Sequence, residues 1–192
     1  MSDILTHIKA RRSIRKFTDQ PIEEGAITAL LEAAMAAPSA SNRQPWEFVV
    51  VTDADLLGRL RARLVLGRYR APLAVCVCGN LHRTWPGSAQ SFWVQDCSAA
   101  AQNILLASTG LGLGSVWVGV HPVRLFVRGV ADVLNLPAHL VPLALIWVGH
   151  PAEGKPPRTQ YDRRRVHWQR YGSAQEKLED PDQGLSSAGG GL

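Results

Sequence analysis

The sequence has few cysteines, no long apolar run and no internal repeat. It contains three cysteines, an odd number that favours free thiols over a disulfide framework. Its longest strongly apolar run, from Leu140 to Val148, includes Pro142 and is too short to cross a bilayer. Charged residues interrupt the apolar positions of the N-terminus, so we recognise no signal peptide. These absences exclude a disulfide-stapled secreted domain and a helical membrane protein, and they predict a cytoplasmic location.

The composition is that of an ordinary globular protein. The chain has 192 residues, of which 46% are hydrophobic and 19% are charged, which excludes a mostly disordered chain and a coiled coil. This length predicts one domain, which we assign to residues 1–172. Residues 173–192 are rich in Ser, Gly, Asp and Gln, so we expect a disordered acidic tail there.

Helical and strand-like patterns alternate along the chain. Apolar residues with a period of about 3.6 predict helices, short apolar runs predict buried strands, and Asp53 has the position of a helix N-cap. The predicted helices cover residues 3–10 (with Ser2 as N-cap and with Ile4, Leu5 and Ile8 buried), 21–37, 54–64, 91–109 and 123–134, and the predicted strands cover residues 46–51, 72–78, 115–119 and 141–149. This order predicts α and β elements layered around one core.

Basic residues outnumber acidic residues, 21 to 16, which gives a net charge of +5. Such a surplus fits nucleic acid, an anionic membrane surface or a phosphorylated ligand. Arginine supplies most of it, and arginine binds phosphate in a bidentate manner that lysine does not. The grouping of the arginines is therefore more informative than their number.

Arg11, Arg12, Ser13 and Arg15 belong to a short basic segment, RRSIR, with three arginines in five residues. Its guanidinium groups and hydroxyl suit a dianionic phosphate, through charge-assisted hydrogen bonds. A solvated basic turn is the alternative, and composition alone favours it.

Two further polar segments lie next to predicted strands. Residues 38–46 (PSASNRQPW) link a helix to a buried strand, and their amides and small residues suit a planar polar ligand. An ordinary connection with a packing tryptophan is the alternative. Residues 149–158 (GHPAEGKPPR) place Lys155 and Arg158 just after a strand, where they either meet the Arg11 segment on one phosphate or form a solvated linker.

Other common sites are not supported by the sequence. Cys76 and Cys78 lie on one face of a predicted strand without a nearby histidine pair, so we interpret them as core cysteines and predict no metal site. The glycines of GLGLG follow a helix and precede a strand, the reverse of the order in a dinucleotide-binding fingerprint. The histidines form no triad with a recognisable nucleophile elbow.

The segments RRSIRKF, PSASNRQPW, GLGLGSVWVG and LIWVGHPAEGKPPR, in this order and spacing, resemble the nitroreductase family of FMN-dependent oxidoreductases. Each motif is modest by itself, but their combination is specific, and the resemblance covers residues 4–171. It implies a three-layer α+β fold in which helices flank a central mixed or antiparallel sheet. It also implies a homodimer with FMN bound at the subunit interface.

The resemblance further implies which residues bind FMN. The Arg11 segment, completed by Lys155 and Arg158, would hold the phosphate and ribityl end. The loop after Pro38 would contact the flavin from the neighbouring subunit or line its edge, and the segment from Trp117 would run along the isoalloxazine, with a main-chain N–H on N5. The implied residues are Arg11, Arg12, Ser13, Arg15, Pro38, Ser39, Ala40, Asn42, Gln44, Trp117, Val118, Gly119, Val120, Lys155 and Arg158. FMN carries about two negative charges, which accounts for part of the basic surplus without a nucleic-acid or membrane partner.

The implied activity is a ping-pong reduction of nitroaromatic, quinone or enone-like electrophiles, with NADH or NADPH as the reductant. The flavin carries the chemistry, so no catalytic side chain is obligatory. The same fold with other redox chemistry (reductive dehalogenation, flavin destruction or dehydrogenation of a biosynthetic intermediate) is one alternative, and a basic interaction module is another. The sequence shows no dedicated site for a 2′-phosphate, which leaves NADH and NADPH both open.

Arg83, Trp85, Phe92 and Trp93 flank the loop before the fourth predicted helix, where compact relatives shape the substrate pocket. The aromatic side chains suit stacking on an aromatic substrate or on nicotinamide. Core packing is an equal alternative for Phe92 and Trp93.

Overall fold

The computed structural model describes residues 4–172, in two compact units that comprise residues 4–158 and 159–172. The first unit contains the helices α1 (Ile4–Ala10), α2 (Glu24–Met35), α3 (Ala54–Ala62), α4 (Phe92–Gly110) and α5 (Arg124–Leu134), and the strands β1 (Trp46–Val51), β2 (Leu73–Asn80), β3 (Gly114–Gly119) and β4 (Leu140–Gly149). The predicted helices and strands are confirmed, apart from shifts at their ends.

Single residues account for where α3 begins and where α5 ends. The Asp53 side chain accepts a hydrogen bond from the N–H of Leu56 at 2.8 Å, which confirms the predicted N-cap. Asn135 ends α5 in the left-handed conformation, with φ of 51°, which asparagine tolerates better than most residues.

The strands form one antiparallel sheet in the order β1-β2-β4-β3. The central strands β2 and β4 are buried along nearly their whole length, which is why both read as continuous apolar runs. β1 and β3 are the edges of the sheet. This sheet confirms the α+β class.

Helices cover both faces of the sheet. On one face, Leu73, Val75 and Val77 of β2 belong to a core cluster with residues of α2 and α4. On the other face, the alternate residues of β2 belong to a cluster with residues of α3 and α5. The fold therefore has the three layers that the resemblance implied.

The three cysteines are buried and free. Cys76 and Cys78 share one face of β2 with their sulfur atoms 3.6 Å apart, and the hydrogen bond between them, together with burial, raises the pKa of Cys76. Burial also raises the pKa of Cys97 on α4. Thiols in this state are unreactive, so the interpretation as core cysteines is confirmed.

Helix α1 departs from the prediction. Ile4, Leu5 and Ile8 were expected to be buried, but each is exposed by 46% or more, and no residue of α1 is buried. The amphipathic pattern identified the apolar face of the helix correctly but not what covers it. No helix within residues 4–172 has the length and apolarity needed to cross a bilayer. The cytoplasmic location stays a prediction.

The second unit, residues 159–172, contains a short 3-10 helix at Arg163–Arg165. The Asp162 carboxylate accepts hydrogen bonds from the guanidinium group and from the main-chain N–H of Arg164, which caps the helix and lowers the pKa of Asp162. The carboxylate also pairs with the Arg165 guanidinium. The prediction of one domain over residues 1–172 stays a prediction. The predicted disorder of residues 173–192 and the Ser2 cap lie outside the described residues.

Replacing Gly79 with alanine should destabilise the fold. A Cβ atom at this position would overlap Cε3 of the buried Trp93, so the indole must shift. We expect Gly79→Ala to lower the free energy of unfolding by about 1–3 kcal/mol, measured by urea denaturation. Gly25→Ala is the matched control, because Gly25 lies in α2 and a Cβ added there would meet no atom within 4 Å. Equal stabilities for the two variants would contradict this packing of Trp93 on Gly79.

Candidate functional site

The N-terminal basic segment runs along one end of the sheet. Ser13 forms a parallel bridge with Ser115 of β3, and the N–H of Ile14 donates to the Ser115 carbonyl at 3.0 Å. Farther along, the N–H of Thr18 donates to the carbonyl of His150 at 2.9 Å, just past the end of β4. These hydrogen bonds place residues 13–18 beside the segment that follows the last strand.

Gly114 and Gly149 face each other in the β3–β4 register and permit this close approach. A Cβ on Gly114 would lie 2.8 Å from Cγ2 of Ile14, and one on Gly149 would lie 2.9 Å from Cδ1 of Phe17. A side chain at either glycine would push residues 14–17 away from the sheet. The two glycines therefore set the position of the basic segment.

The basic segment is joined to the segment after β4 by side-chain contacts. The Lys155 ammonium donates to the Ser13 carbonyl at 2.6 Å and to the Glu153 carboxylate at 2.9 Å. The same carboxylate oxygen accepts the main-chain N–H of Arg15 at 2.6 Å, and the Arg12 guanidinium donates to the Pro156 carbonyl. The structure thus brings together two segments that lie about 140 residues apart in sequence.

The resulting cluster carries a large excess of positive charge. Arg11, Arg12, Arg15, Lys155 and Arg158 supply it, and the N–H of Arg158 donates to the Lys9 carbonyl at 3.4 Å. Arg15 also donates from Nε to the Tyr69 hydroxyl at 3.2 Å. The hydrogen bond from Lys155, followed by that from the Arg15 main chain, lowers the pKa of Glu153 to about 2. Arginines bind phosphate in a bidentate manner, so the cluster suits a phosphate.

The loop after α2 is held in a strained conformation. A short 3-10 helix spans Ala40–Asn42, and Ser41, Asn42 and Gln44 all have φ near +50°. The N–H of Gln44 donates to the Ser39 hydroxyl at 3.0 Å, and the Gln44 amide donates to the Asn42 side chain at 3.1 Å. Non-glycine residues in the sparsely populated left-handed region often cluster at ligand sites. Pro38 lies at the start of this loop.

Asp96 of α4 holds this loop and was missed in the reading of the sequence. Its buried carboxylate accepts the N–H of Ala40 at 3.0 Å. A pocket of about 320 Å³ lies between Pro38–Ala40 and the first turns of α4, and Asp96 and Phe92 line it. Asp96 is the one charged residue of α4, and a lone carboxylate in a helix without any other charged residue is a signal that could have drawn attention to it.

The outer edge of β3 presents main-chain groups. The N–H of Val120 donates to the Leu143 carbonyl at 2.9 Å, so in the antiparallel ladder Val118 also faces β4. The alternate residues Trp117 and Gly119 turn their N–H groups to the open side, the side on which the Ser115 carbonyl accepts the N–H of Ile14. Of the predicted segment from Trp117 to Val120, these two residues can donate to a ligand at this edge.

Arg83 and Trp85, which precede α4, and Phe92 and Trp93, which begin it, occupy different environments. Trp93 is buried with its indole edge-on to His121, 4.9 Å between ring centroids, so packing explains it. Trp85 is 38% exposed, and the Arg43 guanidinium lies 4.4 Å from its ring centroid, which links the two loops. Phe92 is exposed beside the pocket, and Arg83 is exposed.

Glu153→Gln should weaken the junction between the two basic segments in a pH-dependent manner. The folded carboxyl has a pKa of about 2 and its ordinary value is 4.5, so its stabilisation is complete above pH 4.5 and is lost as the pH falls towards 2. We therefore expect the wild type to exceed the variant in unfolding free energy at neutral pH, and the difference to shrink in that window. Urea denaturation at a series of pH values measures it.

The matched control is Glu23→Gln, which removes an exposed carboxylate before α2. A stability difference for Glu153→Gln that is the same at both ends of the window would show that the Lys155 and Arg15 contacts do not depend on the ionised carboxylate.

The chain is similar to known proteins in sequence and in structure. The family model described as "Nitroreductase family" matches residues 8–67 and 64–150. The chain is 42% identical over 173 residues to a Methanothermobacter thermautotrophicus protein named "Putative NADH dehydrogenase/NAD(P)H nitroreductase", covering 88% of each chain. Its structure is similar to that of a protein of the same name from Parabacteroides distasonis (TM-score 0.83, 37% identity, 89% of this chain and 100% of that one). It is also similar to an FMN-dependent nitroreductase from Clostridium difficile (TM-score 0.80, 28% identity, 87% and 99%).

Proposed function

This chain belongs to the nitroreductase family and is an FMN-dependent NAD(P)H oxidoreductase, and we propose that it reduces nitroaromatic, quinone or enone-like electrophiles by a ping-pong mechanism. The junction of the Arg11 segment with Lys155, beside the open edge of β3, is the observation that carries the proposal. It combines a site for a phosphate with main-chain donors for a planar ring.

The charges in the cluster fit the phosphate of FMN. The phosphate carries about two negative charges at neutral pH. Arg11, Arg12, Arg15, Lys155 and Arg158 belong to the two joined segments, residues 11–18 and 149–158, in which Glu153 is the one acidic residue. Because Glu153 is engaged by Lys155 and by the main chain of Arg15, its charge is already partly balanced. Arg11, Arg12, Ser13, Arg15, Lys155 and Arg158 would hold the phosphate and ribityl end.

Of the remaining predicted residues, Trp117, Gly119 and those of the loop at 38–44 fit the flavin ring. The N–H groups of Trp117 and Gly119 face the open edge of β3, where a donor to a ring nitrogen is needed. Gly119 is exposed and a Cβ added to it would meet no atom within 4 Å, so the backbone is accessible. The amides of Asn42 and Gln44 and the small residues from Pro38 to Ala40 would line the edge of the ring.

We propose that the site is completed in a homodimer. Within residues 4–172, no hydrogen bond joins the loop at 38–44 to the Arg11 segment, which fits a site built from two subunits. Ile4, Ile8, Met35 and Phe92 are exposed by 41% or more and provide apolar surface for a second copy. The proposal covers both NADH and NADPH as the reductant of this dimer.

The protein contributes binding and orientation rather than a catalytic side chain. When bound, FMN supplies the redox chemistry, taking up a hydride equivalent from NAD(P)H and releasing it to the electrophile. The arginines would hold the phosphate end and the edge of β3 would contact the ring, while Asp96 holds the loop at 38–44 that would line the ring's edge. No acid or base needs to be supplied by the chain for this role.

The purified protein should show flavin absorption that bleaches with a nicotinamide nucleotide. We expect bands near roughly 370 and 450 nm, and loss of the longer-wavelength band under anaerobic conditions after NADH or NADPH is added, because flavin reduction removes it. Subsequent addition of a nitroaromatic or a quinone should restore the band. Flavin that neither nucleotide bleaches would contradict the reductase activity.

Removing two arginines of the cluster should release FMN. Because each hydrogen bond to a charged group is worth about 1.5–3 kcal/mol, we expect Arg12→Ala/Arg15→Ala to raise the Kd for FMN by at least about a hundredfold, measured by fluorescence titration of the apoprotein. The control Arg59→Ala/Arg124→Ala removes the same charge from exposed positions of α3 and α5. Equal affinities in both double variants would show that the cluster does not hold the phosphate.

A further inference from the structure

A second group of arginines lines a separate pocket between α3 and α5. Arg63 and Arg68 come from the segment that follows α3, and Arg128 comes from α5. Together with Val65, Leu125 and Asp132 they surround a pocket of about 310 Å³. None of these residues belongs to the site described above.

The positive charge of this pocket is not balanced by ion pairs. In the part of the chain that the structure describes, Arg63, Arg68 and Arg128 form no salt bridge. Arg68 uses Nε to donate to the Leu64 carbonyl, which leaves its terminal nitrogens available. Asp132 is the one acidic residue that lines the pocket. Like charges placed together without counterions favour a bound anion.

Gly129 helps to set the position of Arg63. The aliphatic part of Arg63 lies so close to α5 that a Cβ on Gly129 would be 3.2–3.3 Å from Cβ, Cδ and Cγ of the arginine. A larger residue at 129 would displace the Arg63 side chain. The glycine in the middle of α5 therefore lets the stem of Arg63 pack across the helix and carry its guanidinium group to the pocket.

The segment from Leu64 to Tyr69 connects this pocket with the proposed FMN site. Gly67, between two lining residues of the pocket, packs against Val118 of β3, where a Cβ on Gly67 would lie 2.6 Å from Cγ2 of the valine. Two residues later, the Tyr69 hydroxyl accepts a hydrogen bond from Nε of Arg15. Gly67 and Tyr69 thus join the segment that carries Arg68 to the strand and to the basic segment of the proposed FMN site.

We propose that this pocket binds a phosphate group in the adenosine half of the pyridine nucleotide. The inference rests on the proposed function, because it names a subsite for the reductant of that same reaction. NADH and NADPH both carry phosphate groups, and in either case the bound group would be a phosphate held by Arg63, Arg68 and Arg128. Its source is either the 2′-phosphate that distinguishes NADPH from NADH or the pyrophosphate that both nucleotides carry.

The site was not apparent in the sequence because its arginines are dispersed. Arg63 and Arg128 lie 65 positions apart by their numbers and come from different helical regions. Neither stands in a motif, and both read as solvated surface charges. Only the packing of α3 against α5 places them at one pocket.

Steady-state kinetics of the FMN-loaded protein test the proposal. Loss of a charge-assisted hydrogen bond should raise the KM for the nucleotide about tenfold in Arg128→Gln, and further in Arg63→Gln/Arg128→Gln, with kcat and FMN content unchanged. Arg124→Gln is the matched control, because Arg124 lies one turn earlier in α5, is exposed and does not line the pocket.

Two dead-end probes distinguish the source of the phosphate. A rise in KM confined to NADPH, with tighter binding of 2′,5′-ADP than of ADP, assigns the pocket to the 2′-phosphate. Equal rises for NADH and NADPH, with comparable binding of both probes, assign it to the pyrophosphate. Calorimetric titration of the probes answers this question even in a protein that oxidises neither nucleotide, a result that would overturn the proposed function alone.

The inference is overturned if Arg128→Gln and Arg63→Gln/Arg128→Gln behave like Arg124→Gln in KM for both nucleotides and in probe affinity. It is also overturned if the wild type binds neither 2′,5′-ADP nor ADP in the titration. Retained FMN content in all variants excludes an indirect effect through the flavin site.

Discussion

The contacts of Glu153 hold the candidate site together. Its carboxylate lies 2.6 Å from the main-chain nitrogen of Arg15 and 2.9 Å from the ammonium of Lys155. Without this negative group, the cations of the two segments would repel each other, and that repulsion would oppose the main-chain hydrogen bonds and the contacts of Lys155 with Ser13 and of Arg12 with Pro156 that also join them. The protein thus assembles its positive charges before any anion arrives, so the entropy of ordering these side chains is lost on folding rather than on binding. The sheet, the two glycines that face each other on β3 and β4, and the turn after β4 all serve to bring this carboxylate to the N-terminal segment.

The long helix α4 links the core to the candidate site. Most of its inward residues are small or apolar and pack in the cluster with α2 and the sheet. Asp96 interrupts this pattern with a buried carboxylate whose hydrogen bond to Ala40 restrains a loop that contains several residues with positive φ. Each such residue other than glycine costs of order 1 kcal/mol. The rigid helix therefore offsets local strain in the loop and fixes the direction of its polar groups.

Much of the fold could be predicted from the sequence because local patterns determine it. The run WEFVVV predicted β1 at its observed bounds. Asp53 predicted the start of α3, because its side chain can cap a helix by accepting a hydrogen bond from the first turn, as it does here. The meeting of the Arg11 segment with Lys155 was one of two alternatives, and only the sheet register decides between them. The contact of Asp96 with Ala40 and the grouping of Arg63 with Arg128 could not be predicted, because they depend on tertiary packing between distant segments. The exposure of α1 was mispredicted for a related reason: periodicity identifies an apolar face but carries no information about what covers it.

The open edge of β3 also bears on how this protein behaves before its cofactor is bound. Residues 13–14 cover the edge only at Ser115, and the main-chain groups of Trp117 and Gly119 remain unpaired by any neighbouring strand in the described chain. Exposed strand edges are templates for pairing with other chains and a common origin of aggregation. A ligand bound along this edge would therefore also protect it, and a chain made faster than flavin is supplied would present a free β-edge to its neighbours. If FMN binds along this edge as proposed, flavin supply during synthesis would affect the yield of dispersed protein, apart from any part in turnover.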